Sequence, residues 1–269
     1  MALVLGIDAA WTEHGSSALA LLRVDEVGRK VIAVAPSYAG FIGLARGEPA
    51  EWRQTPSGIP IVPDLLAAAT VLGGEPIDVV AVDVPMSRRP IVGRRNADRA
   101  VSRAFGAFGA AVHSPSAYRP DKPVTGMVRA LEAAGYELAT TRSKLPALVE
   151  VYPLAALVRL LRAGRRPAYK VSKIARYGWP GTVRERIDRL LENWGSICEA
   201  LVREVGAIGI DFPERSSIRS AARLKPYEDA IDAVVCAWAG ACFLDGTARP
   251  FPDDDGDAAI WIPEPRVGQ

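Results

Sequence analysis

IDVVAVDVPMS, residues 77–87, is the stretch whose reading decides the fold. Its apolar run is continuous rather than alternating, so the strand it predicts is buried on both faces. That is the pattern of a central strand in a parallel sheet. The run ends in an acid, Asp83, and Pro85 then withholds the backbone donor that would extend the ladder.

Two other segments repeat the pattern of an apolar strand closing on a carboxylate. They are ALVLGIDAA (residues 2–10), with Asp8, and LPALVEVYP (residues 145–153), with Glu150 before a proline. SALALLRVDE and RKVIAVAPSYA, split by Val27 and Gly28, are strand-length and predict an antiparallel meander with the first strand. Residues 40–62, with Pro56, Gly58 and Pro60, read as loop. PDLLAAATVLGG (residues 63–74) reads as a helix with proline at its start and glycine at its end. From about 88 to 145 the texture changes to a basic run, the loop HSPSAYRPDKP and a helix at VTGMVRALEAAGYEL, which together predict an insertion or cap. Helices are then expected at 153–164, 183–206 and 227–244, and a short strand within DAAIWIPEP. The expected fold is α/β, a mixed sheet flanked by helices with a helical and loop insertion after the fourth strand. One domain over residues 1–269 is expected to contain it.

Bulk composition narrows the function classes. Net charge is +2 over 269 residues, so any nucleic-acid surface has to be a local patch. The three cysteines, Cys198, Cys236 and Cys242, form no C-x-x-C pair, which argues against zinc and a disulfide framework. MALVLGIDAA lacks a basic leader and reads as a strand rather than a signal peptide. No apolar run reaches the length of a membrane span, so a cytoplasmic protein with no membrane contact is expected.

The acids carry the chemistry. In open α/β sheets, strand ends line the crevice where ligands bind. If Asp8, Asp83 and Glu150 leave neighbouring strands, their carboxylates converge. The helix YEDAIDAVVCAWAG, residues 227–240, adds Asp229 and Asp232, which share a face at i and i+3. So many carboxylates cannot all stay ionised without compensation. Some could take up protons, or a hard cation such as Mg2+ or Mn2+ could bind through the carboxylates, water and substrate phosphate. Two such ions can activate a water and stabilise a leaving oxygen. The plainer reading makes each acid a turn former or cap, and Asp229 suits a helix start. Asp232 lies a turn inside and has no such role.

The ordered set GIDAAW, VAVDVPMS, RRNADR, EVYP, Tyr169-Lys170, DAIDA and IWIP resembles the DUF429 family, whose members are predicted nucleases of ribonuclease H-like fold. The resemblance covers nearly the whole chain. It implies Asp8 as lead metal ligand, Asp83 at the end of the fourth strand, and Asp232, with Asp229, from the late helix. Glu150 and Asp98 match family motifs, and Asp98 would enter the site from the insertion.

Arg88, Arg89, Arg94, Arg95, Arg99 and Arg103 fall close together, with Asp98 their only acid. If 94–105 is helical, Arg95, Arg99 and Arg103 make one stripe, which reads either as a phosphate clamp or as a solvated face. Lys170 could hold a phosphate or an acid of the cluster. His14 is a candidate general base or plain loop surface, as is His113. Trp11 could stack on a base. PDDDGDAA, residues 252–259, lacks the spacing of an EF-hand and reads as a solvated acidic loop.

Three functions follow. The first is a Mg2+- or Mn2+-dependent nuclease using Asp8, Asp83, Glu150 and Asp232, with nucleic acid held by Arg95, Asp98, Arg99 and Lys170. The second is a phosphotransferase or nucleotide hydrolase of the actin-like ATPase type, although AAWTEHGSS makes a weak phosphate loop. The third is a non-catalytic protein that binds nucleic acid or phosphate.

Overall fold

The apolar run Ala2–Asp8 forms β1, which is buried from Leu3 to Ile7. A computed structural model describes residues 1–53, 55–56, 58–112, 122–142 and 144–264. Strands β2 (Ala18–Asp25) and β3 (Gly28–Ala35) follow as the expected antiparallel meander. The Asp25 carboxylate accepts from the amides of Val27 and Gly28 at 2.9 and 3.2 Å, closing the turn.

Helix α1 (Tyr38–Ala45) lies in part of the stretch expected to be loop. Its signal is local: Ser37 caps it, accepting from the Gly40 amide at 3.0 Å. The prolines that suggested loop come after the helix has ended. Helix α2 (Val62–Gly73) begins and ends as expected, with Pro63 in its first turn and Gly74 in the left-handed conformation at φ 79°.

Strand β4 (Val79–Val82) lies parallel to β1 and is wholly buried. The insertion after it carries α3 (Asn96–Phe105), α4 (Lys122–Ala133) and β5 (Glu137–Leu138). Then come β6 (Ala147–Val151), α5 (Pro153–Leu160), α6 (Val183–Val205), α7 (Lys225–Leu244), β7 (Ala248–Pro252) and β8 (Ala259–Pro263). The eight-stranded sheet runs β3-β2-β1-β4-β6-β8-β7, with β5 beside β6. Antiparallel β3-β2-β1 followed by parallel β4 and β6 is the ribonuclease H-like arrangement.

Each sheet face has its own core. Val4, Val79, Ala81 and Val149 pack against α7 and α6, whereas Leu5, Val80, Val82 and Leu148 pack on the other side with α2. Helix α7 comes unusually close to the sheet because Gly6 has no side chain. A Cβ there would lie 2.3 Å from both the Ala233 carbonyl oxygen and the Ala237 nitrogen. Gly240 allows the same approach further along, where a Cβ would lie 2.6 Å from Val4. That contact fixes where the acids of α7 sit relative to the end of β1.

Candidate active site

Strand register determines which acids meet. Ile7 pairs with Val82, and the Asp83 amide donates to the Ile7 carbonyl at 3.0 Å, so Asp8 and Asp83 are neighbours at the ends of β1 and β4. Asp8 follows Gly6 by two residues and Asp83 follows Ala81 by two, so both point to the α7 face. Asp229 and Asp232 reach the same place from the first turns of α7 and are buried there. The aspartates of three elements therefore converge.

Two ammonium groups stand among them. Lys225 bonds Asp229 one turn along α7 and lies 3.0 Å from Glu228. Lys170 bonds Asp232 and lies 3.4 Å from Glu228. Asp232 also accepts from the Tyr169 hydroxyl at 2.7 Å, and Asp229 from Ser16. The segment that presents Lys170 is pinned from both sides. The Trp194 indole donates to the Tyr169 carbonyl at 2.8 Å, the Lys170 amide donates to the Tyr177 hydroxyl at 2.8 Å, and the Val171 amide donates to Glu228. Sequence reading flagged Lys170; Lys225 and Glu228 were missed as members of the cluster. The i,i+4 spacing of Lys225 and Asp229 was the available signal.

Asp8 and Asp83 take part in none of these bonds among the described residues. Burial, then the charges of Asp229 and Asp232, push the Asp8 carboxyl well above the usual range. Burial and Asp232 push Asp83 up to about 7. Burial alone would lower the Lys170 ammonium, but Asp232, Tyr169, Glu228 and Asp8 raise it well above its ordinary value and keep it charged. Only Glu228, Asp229 and Asp232 are paired with the two lysines, so five acids stand against two ammonium groups, and Asp8 and Asp83 are left to a proton or to a cation.

Glu150 does not join them. It pairs in register with Val82, one position before Asp83, and therefore points to the opposite face of the sheet. Its carboxylate takes both terminal nitrogens of Arg95, at 2.7 and 2.6 Å, and the Met86 amide at 2.7 Å. Arg95 also bonds Asp98 at 2.6 Å, and Asp98 is completely buried at the start of α3. The expected stripe of Arg95, Arg99 and Arg103 is corrected accordingly. Arg95 precedes α3 and turns inward to neutralise two buried acids, whereas Arg99 and Arg103 are exposed. Asp98 belongs to this inner ion group, not to the aspartate cluster. Helix α3 packs against β7 and β8, away from β1. The acidic loop serves it, as Asp253 accepts from the Ala97 amide at 2.7 Å.

A cavity of about 210 Å³ opens beside Asp83, and Trp11, Tyr152, Tyr169 and Lys170 are among its walls. Trp11 and His14 are both exposed in the loop after β1. His113 lies outside the described residues.

The family model described as protein of unknown function (DUF429) matches residues 24–257. This chain belongs to the DUF429 family. The matched span of the DUF429 protein contains Asp83, Glu150, Lys170, Asp229 and Asp232, while Asp8 precedes it. No curated protein matches the chain. Among the described residues, no helix is long and apolar enough to cross a membrane.

The donor set of this DUF429 protein fits one hard cation. Asp8 and Asp83 offer oxygen donors from adjacent strands, without competing partners among the described residues, and their raised carboxyls would release protons on binding a cation. It does not fit the wider four-aspartate set expected from sequence. Among the described residues, no three histidines, cysteines or acids form a ready ligand group. Lysines already hold Asp229 and Asp232.

Proposed function

We propose that this protein is a metal-dependent phosphodiesterase acting on nucleic acid, with Asp8 and Asp83 as the ligands of a Mg2+ or Mn2+ ion. The observation that carries the reading is the pair of carboxyl groups at the ends of β1 and β4 that have no bonding partner among the described residues and that burial and neighbouring acids hold above their usual range. Bound there, the ion supplies Lewis acidity toward phosphate and water. Lys170 lines the cavity beside Asp83, so its ammonium can donate to a phosphate oxygen while Asp232 holds it. Trp11 and Tyr152 give that cavity aromatic walls suited to a base. Arg99 is exposed, bonded only to Asn96 on its own helix among the described residues, and can meet the nucleic-acid backbone. Arg95 and Glu150 also line the cavity beside Asp83, and with Asp98 they fix the end of β6 against α3.

The test is cleavage of single-stranded, duplex and branched nucleic acid by purified protein. Activity should appear with Mn2+, vanish with EDTA and be lost in Asp8→Asn and Asp83→Asn. Activity that survives EDTA, or either substitution, contradicts the reading. A second reading, a non-catalytic phosphate or nucleic-acid binder, is favoured by the lysine pairs on Asp229 and Asp232. Binding of the same substrates without cleavage under any metal would select it.

A further inference from the structure

Lys170 stands among the buried acids at the start of α7. Its ammonium contacts Asp232 and Glu228, and its charge also acts on Asp8 and Asp83. The ammonium is not a surface charge that has folded inward. Tyr169 and Val171 on either side of it are buried, and their backbone groups bond α6 and α7. Trp194, which donates to the Tyr169 carbonyl, is itself buried. The backbone that presents the ammonium is therefore held from both sides.

We propose that Lys170 is a built-in second cation of the site. It takes the position that a second divalent ion would fill between Asp232 and the strand-end aspartates, so the protein binds one divalent ion and not two. This rests on the reading of Asp8 and Asp83 as metal ligands. A single ion and a fixed ammonium divide the work that paired ions do elsewhere. The ion holds phosphate and water, and Lys170 positions Asp232 and the phosphate from the other side. Lys170 also gives Asp232 and Glu228 a cationic partner before any metal arrives.

The experiment is calorimetric titration of the metal-free full chain with Mn2+, with electron paramagnetic resonance of the loaded protein. The wild type should bind one ion per chain and show an uncoupled Mn2+ signal. Lys170→Met frees Asp232 and Glu228 and should bind two ions with a spin-coupled signal, whereas Lys170→Arg should return the count to one. Circular dichroism checks that each variant is folded. If Lys170→Met is not, Lys170→Gln, which keeps a donor for Asp232, is titrated in its place. Two ions in the wild type overturn the proposal without any variant, and so does a count of one in the neutral variants. No binding by the wild type overturns the metal reading itself, and the proposal with it.

Discussion

Lys170 ties together two acids one turn apart on α7: its ammonium bonds Asp232 and lies 3.4 Å from Glu228. Lys170→Met would leave buried carboxylates uncompensated, at a cost of about 3–5 kcal/mol in metal-free protein. Chemical denaturation in EDTA measures it. Adding Asp232→Asn to the same chain should recover a large part of the loss, because the two sites share one interaction. Additive losses would mean that the pair is not coupled.

Asp83 gives the apo protein a defined pH dependence. Its carboxyl titrates at about 7 in the fold against an ordinary 3.8. The folded state therefore binds the proton more tightly. The contribution to stability is fully present below the lower value and is lost as pH rises through the higher one. Asp83→Asn carries no such loss. In EDTA its advantage over the wild type should grow from about pH 4 to about pH 7, reach on the order of 4 kcal/mol at most, and then stay level. Thermal unfolding across that range checks it.

The arginines separate by burial. Arg95→Met leaves Glu150 and Asp98 in the interior without their cation, and should cost about 3–5 kcal/mol. Arg99→Ala removes an exposed group and should change stability by no more than about 0.5 kcal/mol. If Arg99 meets the nucleic-acid backbone, the same substitution should weaken binding and flatten its salt dependence. Denaturation curves and fluorescence anisotropy at several salt concentrations read the two effects.

Gly6→Ala should destabilise by about 1–3 kcal/mol or more, since the new methyl meets the backbone of α7 rather than a side chain that can turn aside. It should also weaken Mn2+ binding, because α7 is lifted away from the end of β1. Calorimetry on the folded fraction distinguishes the two effects.

The fold was readable where local chemistry is strong. Asp83 closing a fully apolar run, the Val27-Gly28 turn and the small-residue helix containing Asp232 each marked its element. The features missed depend on register or on partners distant in sequence. Glu150 stands in the same strand-acid-proline pattern as Asp83, yet a one-residue offset between β4 and β6 turns it to the other face. Nothing within VEVYP encodes that offset. Strand β7 (ARPFP) was hidden by two prolines, which an edge strand tolerates. The opening acids of α7 pointed to a missing cation, and sequence reasoning offered a metal or Lys170 but overlooked Lys225. Lys225 was three positions before Glu228, and Lys170 was brought in by the fold.

The most direct test is a Mn2+-soaked crystal with anomalous difference maps. A single peak within coordination distance of both Asp8 and Asp83, with Lys170 still on Asp232, is the predicted result. No peak there, or a peak held instead by Asp229 and Asp232 with the lysines displaced, would contradict it.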